Sequence, residues 1–331
     1  MKGAAPDPGR IVDLSIGYWK SSILATAITH SVFLHLDDRP ASPEELAERA
    51  GISKRGARAI LDGLVGLELV LVENGTYANT PEASAFLVES KSTYIGPFVT
   101  VHHSMSHSWE KLPDAVATGE APESHDAIEE NPFWEELVLS IATLARPLAR
   151  MAGERLGLAK AGASSILDIG GGSGVYSAEW LTMNPKAHAT QIDWANINRI
   201  ARDFVGKAGV GDRFRTVDGD FHTADFGASA HDLVVYSNIA HQESPKRNVE
   251  IFRRIHKALK PGGTLVVSDF VLENDRTGPA FALFFHVNML LHTRAGAAWR
   301  ETDYRAWLSE AGFKDVSVQR TPMPGTLIYA R

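Results

Sequence analysis

Residues Ser164–Trp180 read SSILDIGGGSGVYSAEW: a short apolar run, a cluster of glycines, then a segment with helical spacing. Strand, glycine turn and helix in that order open a βα unit. The pattern then recurs. The apolar runs SILDIG, AHATQIDW, RFRTVDGD, DLVVYSN and GTLVVSDF are spaced by YSAEWLTMN, NINRIARDFVGKAG and NVEIFRRIHKAL, which carry helical periodicity. This alternation predicts an α/β domain with a mostly parallel sheet. DVSVQRT and GTLIYA are expected to close that sheet as an antiparallel pair.

The glycine turn narrows the ligand. It does not end in Gly-Lys-Ser or Gly-Lys-Thr, so a Walker phosphate loop is excluded. Gly170, Gly172 and Gly174 give GxGxG, the residue two places further on is Tyr176, and the third glycine of a dinucleotide fingerprint is missing. Asp168 would repel a pyrophosphate placed beside it, yet would support an ammonium. Asp193 ends the next strand, 25 residues on, where a carboxylate takes ribose hydroxyls. Trp194 beside it is suited to stacking on an adenine ring. Asp220, after Gly219, is placed to accept the adenine amino group. Any one of these aspartates would serve as a simple helix cap. Together, at the carboxyl ends of successive strands, they describe a nucleoside with a cation and no pyrophosphate.

The N-terminal part is different in kind. Apolar spacing predicts a helix over Ile11 to Leu36. In ASPEELAERA, Ser42, Pro43 and Glu45 form a capping box with proline at the first helical position, and Gly51 stops the helix. Ser53 opens the next helix, and NGTY turns a hairpin between LVLVE and YANTP. Helix, turn, helix, hairpin is a winged helix. Lys54, Arg55 and Arg58 sit where a recognition helix would meet DNA, but Asp38, Glu44, Glu45, Glu48 and Asp62 surround them. The formal net charge of the chain is −7, so a protein contact is the expected role. Between 94 and 160 the sequence reads as a helical connector broken at Pro97, Pro113, Pro122, Pro132 and Pro147.

A chain of 331 residues has room for about two domains. It has no cysteine, which removes disulfides, thiolate metal sites and cysteine nucleophiles. MKGAAPDPGR has no signal-peptide character, and PAFALFF is interrupted by His286 and Asn288 short of a membrane span. A cytoplasmic protein without membrane or nucleic-acid partners is expected.

LDIGGGSG, QID, DGDF and LKPGG resemble the motifs of class I S-adenosylmethionine-dependent methyltransferases. From GYWKSSILATAI through EELAERAG to ETDYRAWLSEAGF, nearly the whole chain is similar to small-molecule O-methyltransferases, plant caffeate-type and bacterial natural-product, with an N-terminal winged-helix dimerisation domain. The resemblance implies a Rossmann-like, mostly parallel seven-stranded catalytic domain at 161–331. It implies a dimerisation domain at 1–95, a connector lining the substrate pocket at 96–160, and a homodimer with intertwined N-terminal helices. S-adenosylmethionine, leaving as S-adenosylhomocysteine, would be held by Asp168, Gly170, Gly172, Asp193, Trp194, Asp220, Phe221 and Ser237.

Methyl transfer to a hydroxyl needs alignment and a base but no metal. His241, after the fourth strand, matches the family's catalytic histidine, and Asp269 at the end of the next strand matches its orienting carboxylate, 28 residues later. Three departures stand out. The family's Asp-Trp after the histidine is Gln242-Glu243, its basic residue four before the histidine is Ser237, and its second carboxylate falls near Ala298, with Glu301 a shifted substitute. His103 and His107, four apart, are expected on one helical face, a spacing that can serve metal ligands. With His102, His286 and His292 they read as pocket lining rather than a metal site. Phe285, His286, Met289 and Trp19, with Trp109, suggest an aromatic or polycyclic acceptor. Transfer to carbon or nitrogen, a non-methylating relative, and a winged-helix nucleoside-sensing regulator are the alternatives.

Overall fold

The computed structural model describes residues 7–122, 124 and 131–331. Two compact units divide between Ser106 and His107.

The first unit contains α1 (Gly9–Ser15), α2 (Gly17–Thr29), α3 (Val32–Asp38), α4 (Pro43–Ala50), α5 (Lys54–Gly66), β1 (Val70–Glu73), β2 (Thr76–Asn79), α6 (Pro81–Phe86) and α7 (Gly96–Ser104). The single helix expected over Ile11–Leu36 is three helices. Ile16 leaves helical geometry, and Ser31 takes a left-handed φ of 51° that an α-helix does not admit. The break lets Val32, Phe33 and Leu36 turn into the same core as Leu46, Leu61 and Leu64. Burying each such side chain contributes about 1.5–3 kcal/mol. The Ser42–Glu45 capping box, the left-handed Gly51 stop and the Ser53 cap all form. Asn74 and Gly75 both have positive φ, the two-residue turn whose twist suits a hairpin. Lys54, Arg55 and Arg58 are exposed, and Arg58 faces Glu44 at 3.9 Å.

In the second unit, α8 (Leu112–Thr118) and α9 (Pro132–Arg155) precede the sheet. Pro147 does not break α9 but sits inside it. Ala142, Ala145, Leu148, Ala149 and Ala152 form a buried stripe on both sides of that proline, and packing holds the helix where propensity alone would end it. The sheet and its helices follow as β3 (Ser165–Ile169), α10 (Val175–Met183), β4 (His188–Asp193), α11 (Ala195–Lys207), β5 (Phe214–Asp218), β6 (His231–Ser237), α12 (Pro245–Ala258), β7 (Leu259–Asp269), α13 (Ala280–His292), α14 (Glu301–Glu310), β8 (Val316–Arg320) and β9 (Thr326–Ala330). The seven strands lie in the order β5-β4-β3-β6-β7-β9-β8. β3 to β7 run parallel, and β9 pairs antiparallel with both β7 and β8. Lys260-Pro261-Gly262-Gly263 does not close α12, which ends at Ala258. It occupies an irregular start of β7, where the register against β6 jumps between His231 and Leu233.

Alternate strand residues feed two cores. Leu167 and Ile169 join Phe252, Tyr304 and Trp307 on one face, and Ile166 joins Trp180 and Leu181 on the other. Strand order reverses at β3, whose neighbours are β4 and β6, so their carboxyl ends frame the crevice where an open α/β sheet takes its ligand. Among the described residues, no helix is long and apolar enough to cross a membrane.

Candidate active site

Gly170, Gly172 and Gly174 all have positive φ, between 57° and 74°, and this coiling aims backbone N–H groups at β4. Gly170 N–H donates to the Ile192 carbonyl at 2.9 Å, and Gly172 N–H donates to Asp193 Oδ2 at 2.9 Å. A Cβ at Gly174 would stand 2.9 Å from Val205 Cγ2. Gly174 thus provides the close helix packing that a dinucleotide fingerprint assigns to its third glycine, and Tyr176, two residues on, is core.

Asp193, at the end of β4, also accepts from the Trp194 N–H through Oδ1 at 2.8 Å, so each of its oxygens keeps capacity for a ligand hydroxyl. Burial pushes its carboxyl up to about 6, against the pull of those two N–H donors. Trp194 is half-buried where α11 begins. Asp168 is 1% exposed. Its Oδ2 accepts from the Ser177 hydroxyl at 2.8 Å, while Oδ1 is buried against Gly171 with no hydrogen-bond partner among the described residues. Burial, with the nearby Asp193 charge adding to it, raises this carboxyl to about 7 despite the Ser177 bond.

Asp220 follows β5. Its Oδ1 accepts from the His222 N–H at 2.8 Å and faces His222 Nδ1 at 2.6 Å. Phe221 lies edge-on to Tyr236 and within 3.7 Å of the point a Gly170 Cβ would occupy, and Ile239 Cδ1 is 2.7 Å from that point. Gly170, Phe221 and Ile239 therefore converge on one wall. Ser237 ends β6 half-buried, and Asn238 after it turns the chain with a φ of 56°.

The two residues expected to do proton chemistry are in contact. His241 Nδ1 is 2.6 Å from Asp269 Oδ1, and the His241 backbone N–H donates to Oδ2 at 3.1 Å. Phe270 N–H donates to Oδ1 at 2.7 Å and the Tyr304 hydroxyl to Oδ2 at 3.0 Å. Asp269 has no exposure at all, and each of its two oxygens is engaged by two donors. A carboxylate only accepts, so Nδ1 of His241 carries the proton and Nε2 of the neutral ring is the lone pair. Nε2 has no partner among the described residues. The Phe285 ring meets His241 edge-on at 4.8 Å, and Phe270 stacks at 6.0 Å.

α13 supplies the apolar wall. Phe285 packs on Phe270 at 4.6 Å, with Phe281 at 4.9 Å from Phe270, and Met289, one turn from Phe285, is buried. His286 is half-buried with a partnerless Nδ1, and burial lowers its pKa, with Arg276 acting in the same direction. His103 and His107 do not share one α-helical face. α7 ends at Ser104 and a 3-10 turn runs from Met105 to Lys111, which changes the spacing. Trp19 and His103 belong to the first unit, where Trp19 is exposed. Ala298 is buried, and Glu301 is engaged by Arg305 at 2.8 Å and Arg320 at 3.7 Å.

Sequence reading missed Tyr304, Phe270 and the His222–Glu243 contact. Tyr304 stands in an ordinary amphipathic helix, and no local pattern distinguishes its hydroxyl from that of any core tyrosine.

Residues 156–314 match the O-methyltransferase domain family, and residues 12–89 match the O-methyltransferase dimerisation domain. A 3-hydroxy-5-methyl-1-naphthoate 3-O-methyltransferase of Streptomyces sahachiroi is 31% identical over 96% of this chain and 93% of its own. A tetracenomycin polyketide synthesis 8-O-methyl transferase of Streptomyces glaucescens is 30% identical over 98% of this chain and 96% of its own. The fold is shared with human N-acetylserotonin methyltransferase, solved in complex with S-adenosylmethionine, at a TM-score of 0.86 and 23% identity, covering 100% of this chain and 99% of that one.

Proposed function

This chain belongs to the O-methyltransferase family, and from that premise we propose that it moves the methyl group of S-adenosylmethionine to a hydroxyl of a small aromatic or polycyclic metabolite, with His241 as general base. The observation that carries the base assignment is the locked His241–Asp269 pair, which leaves one basic nitrogen open beside a wall of phenylalanines.

The residues present suit the cofactor. Gly170, Gly172 and Gly174 are packed against Ile239, Val138 and Val205, which sets the course of the turn, whereas Gly219 has nothing within 4 Å of its missing Cβ and leaves open space there. Asp193 keeps acceptor capacity for the ribose hydroxyls, and Asp220 uses only Oδ1, leaving Oδ2 for the adenine amino group. The orphaned Asp168 Oδ1 favours a cationic end nearby. Phe221 and Trp194 would offer apolar faces to the adenine ring, and Ser237, at the end of β6, would help hold the cofactor.

When bound, S-adenosylmethionine supplies an electrophilic methyl on a sulfonium that departs as a neutral thioether. His241 Nε2 takes the acceptor's hydroxyl proton, so oxygen attacks as the stronger nucleophile. Asp269 stabilises the imidazolium that results without taking the proton itself. Phe270, Phe281 and Phe285 keep water from the reacting oxygen and hold a flat acceptor by ring contacts. Relatives that act on naphthoate and polyketide hydroxyls support this acceptor class. A homodimer through the matched dimerisation domain would cover Ile11, Leu14, Tyr18 and Trp19, which the single chain leaves exposed.

Titration calorimetry with S-adenosylhomocysteine on wild type and Asp193→Ala, followed by turnover with phenolic polycycles, tests the reading. Expected are micromolar binding that the substitution abolishes and a product methylated on oxygen. A product methylated on carbon or nitrogen would remove the need for the base, and absent cofactor binding would end the proposal.

A further inference from the structure

The position two residues after His241 is Glu243, a departure from the family pattern, and its side chain has a partner in the structure. His222 Nε2 is 2.7 Å from Glu243 Oε1, and His222 Nδ1 is 2.6 Å from Asp220 Oδ1. A neutral imidazole has one N–H and one lone pair, so one of these contacts would press a lone pair against a carboxylate. With both carboxyls ionised, only the imidazolium makes both contacts hydrogen bonds. Burial lowers the pKa of His222, and the contacts with Glu243 and then Asp220 outweigh it, so the net displacement is upward. Two further charged groups lie close by: Asp225, later in the same segment, and Arg254 of α12, which faces both Asp220 and Asp225. Arg254 donates to the carbonyls of His222 at 2.8 Å and Phe221 at 2.9 Å, and it lies over the Phe226 ring at 4.0 Å. The guanidinium thus fixes the backbone of the turn, and the imidazolium fixes its carboxylate. Glu243 belongs to the turn after β6, where Gln242 N–H donates to Ile239 and Glu243 N–H to Ala240, with His241 in the same turn.

We propose that His222, as an imidazolium bridging Asp220 and Glu243, is a positioning residue for the cofactor's adenine: it engages one oxygen of Asp220, leaves the other for the exocyclic amino group, and ties that carboxylate to the turn bearing the catalytic histidine. The inference rests on Asp220 being the adenine acceptor. Because the folded-state pKa of His222 lies above the ordinary value of 6.5, the bridge is complete below that range. It is lost as pH rises through the raised value. Selectivity for adenine should fall along the same limb.

The test is calorimetric affinity for S-adenosylhomocysteine and for S-inosylhomocysteine, whose 6-oxo group replaces the amino donor with an acceptor. Wild type is expected to favour the adenosyl ligand by roughly 30-fold or more at neutral pH, since an acceptor set against a carboxylate leaves both unsatisfied. Asp220→Asn should collapse that ratio. His222→Asn and Glu243→Gln should each narrow it about tenfold. The alkaline decline of selectivity seen in wild type should vanish in His222→Asn. If Asp220→Asn leaves the ratio unchanged, the adenine assignment itself is wrong and the bridge with it. If Asp220→Asn collapses the ratio while His222→Asn and Glu243→Gln preserve it, or weaken both ligands equally, the bridge is scaffold only and the proposal is overturned. Glu243→Gln leaves the turn's backbone bonds in place, so the ratio can be read even if His222→Asn folds poorly.

Discussion

His241 and His222 both rest on carboxylates, yet the protein occupies one nitrogen of the first and both of the second. Asp269 is wholly buried and saturated by four donors, so His241 gains orientation and keeps a lone pair for chemistry. Asp220 and Glu243 are partly exposed, each faces one nitrogen of His222, and nothing remains for proton transfer. A histidine beside a carboxylate is not yet a base. The count of open nitrogens is what separates the base proposed at His241 from the clamp proposed at His222.

The comparison breaks first at His241. His241→Ala should lower kcat by about 10³-fold while the affinity for S-adenosylhomocysteine stays within a factor of about two, because the loss concerns proton transfer and not cofactor contacts. Parallel binding and turnover assays check this, and a comparable loss of affinity would show that His241 supports the crevice instead. Asp269→Asn should cost about 10²-fold in kcat, since an amide can turn its NH₂ toward Nδ1 and favour the wrong tautomer.

Tyr304→Phe removes one donor of the four. Stability should drop by about 1–2 kcal/mol and kcat by a few-fold, measured by denaturant unfolding and steady-state rates. A larger effect on rate than on stability would promote Tyr304 from support to tuning of the base.

The smallest effect concerns protons at the glycine turn. Asp168 is raised to about 7 and Asp193 to about 6, so between the ordinary carboxylate range and those values the folded chain binds more protons than the unfolded one. The stability of the ligand-free protein should therefore decline as pH rises through that window. A cofactor ammonium near Asp168 favours the ionised carboxylate, so binding near pH 6.5 should release a fraction of a proton. Calorimetry in two buffers of different ionisation enthalpy reads this directly, and Asp168→Asn should reduce the release. Proton uptake instead would place the cation elsewhere.

Much of this was legible in the chain. The strand–glycine–helix opening, the capping box at Ser42, the Asn74-Gly75 hairpin and the His241–Asp269 pairing are encoded in residues a few places apart or at strand ends that one topology brings together. Where reading failed, the cause was tertiary. Ile16 and Ser31 look helical by composition, but the core of the first unit is better filled by turning Phe33 inward. Pro147 looks like a break, but a buried stripe on either side carries the helix through it.

By itself the sequence determined the order of elements, the sheet's parallel character, and the class of ligand at the glycine turn, because periodicity, caps and positive-φ glycines act locally. Only the tertiary structure decided that Tyr304 donates to Asp269, that Gly174 packs α10 on α11, and that Glu243 reaches His222. These pairings join residues 35, 31 and 21 positions apart on different elements (Asp269 and Tyr304, Gly174 and Val205, His222 and Glu243). Directed hydrogen bonds and close packing depend on relative placement to within tenths of an ångström, and no periodicity along the chain records it.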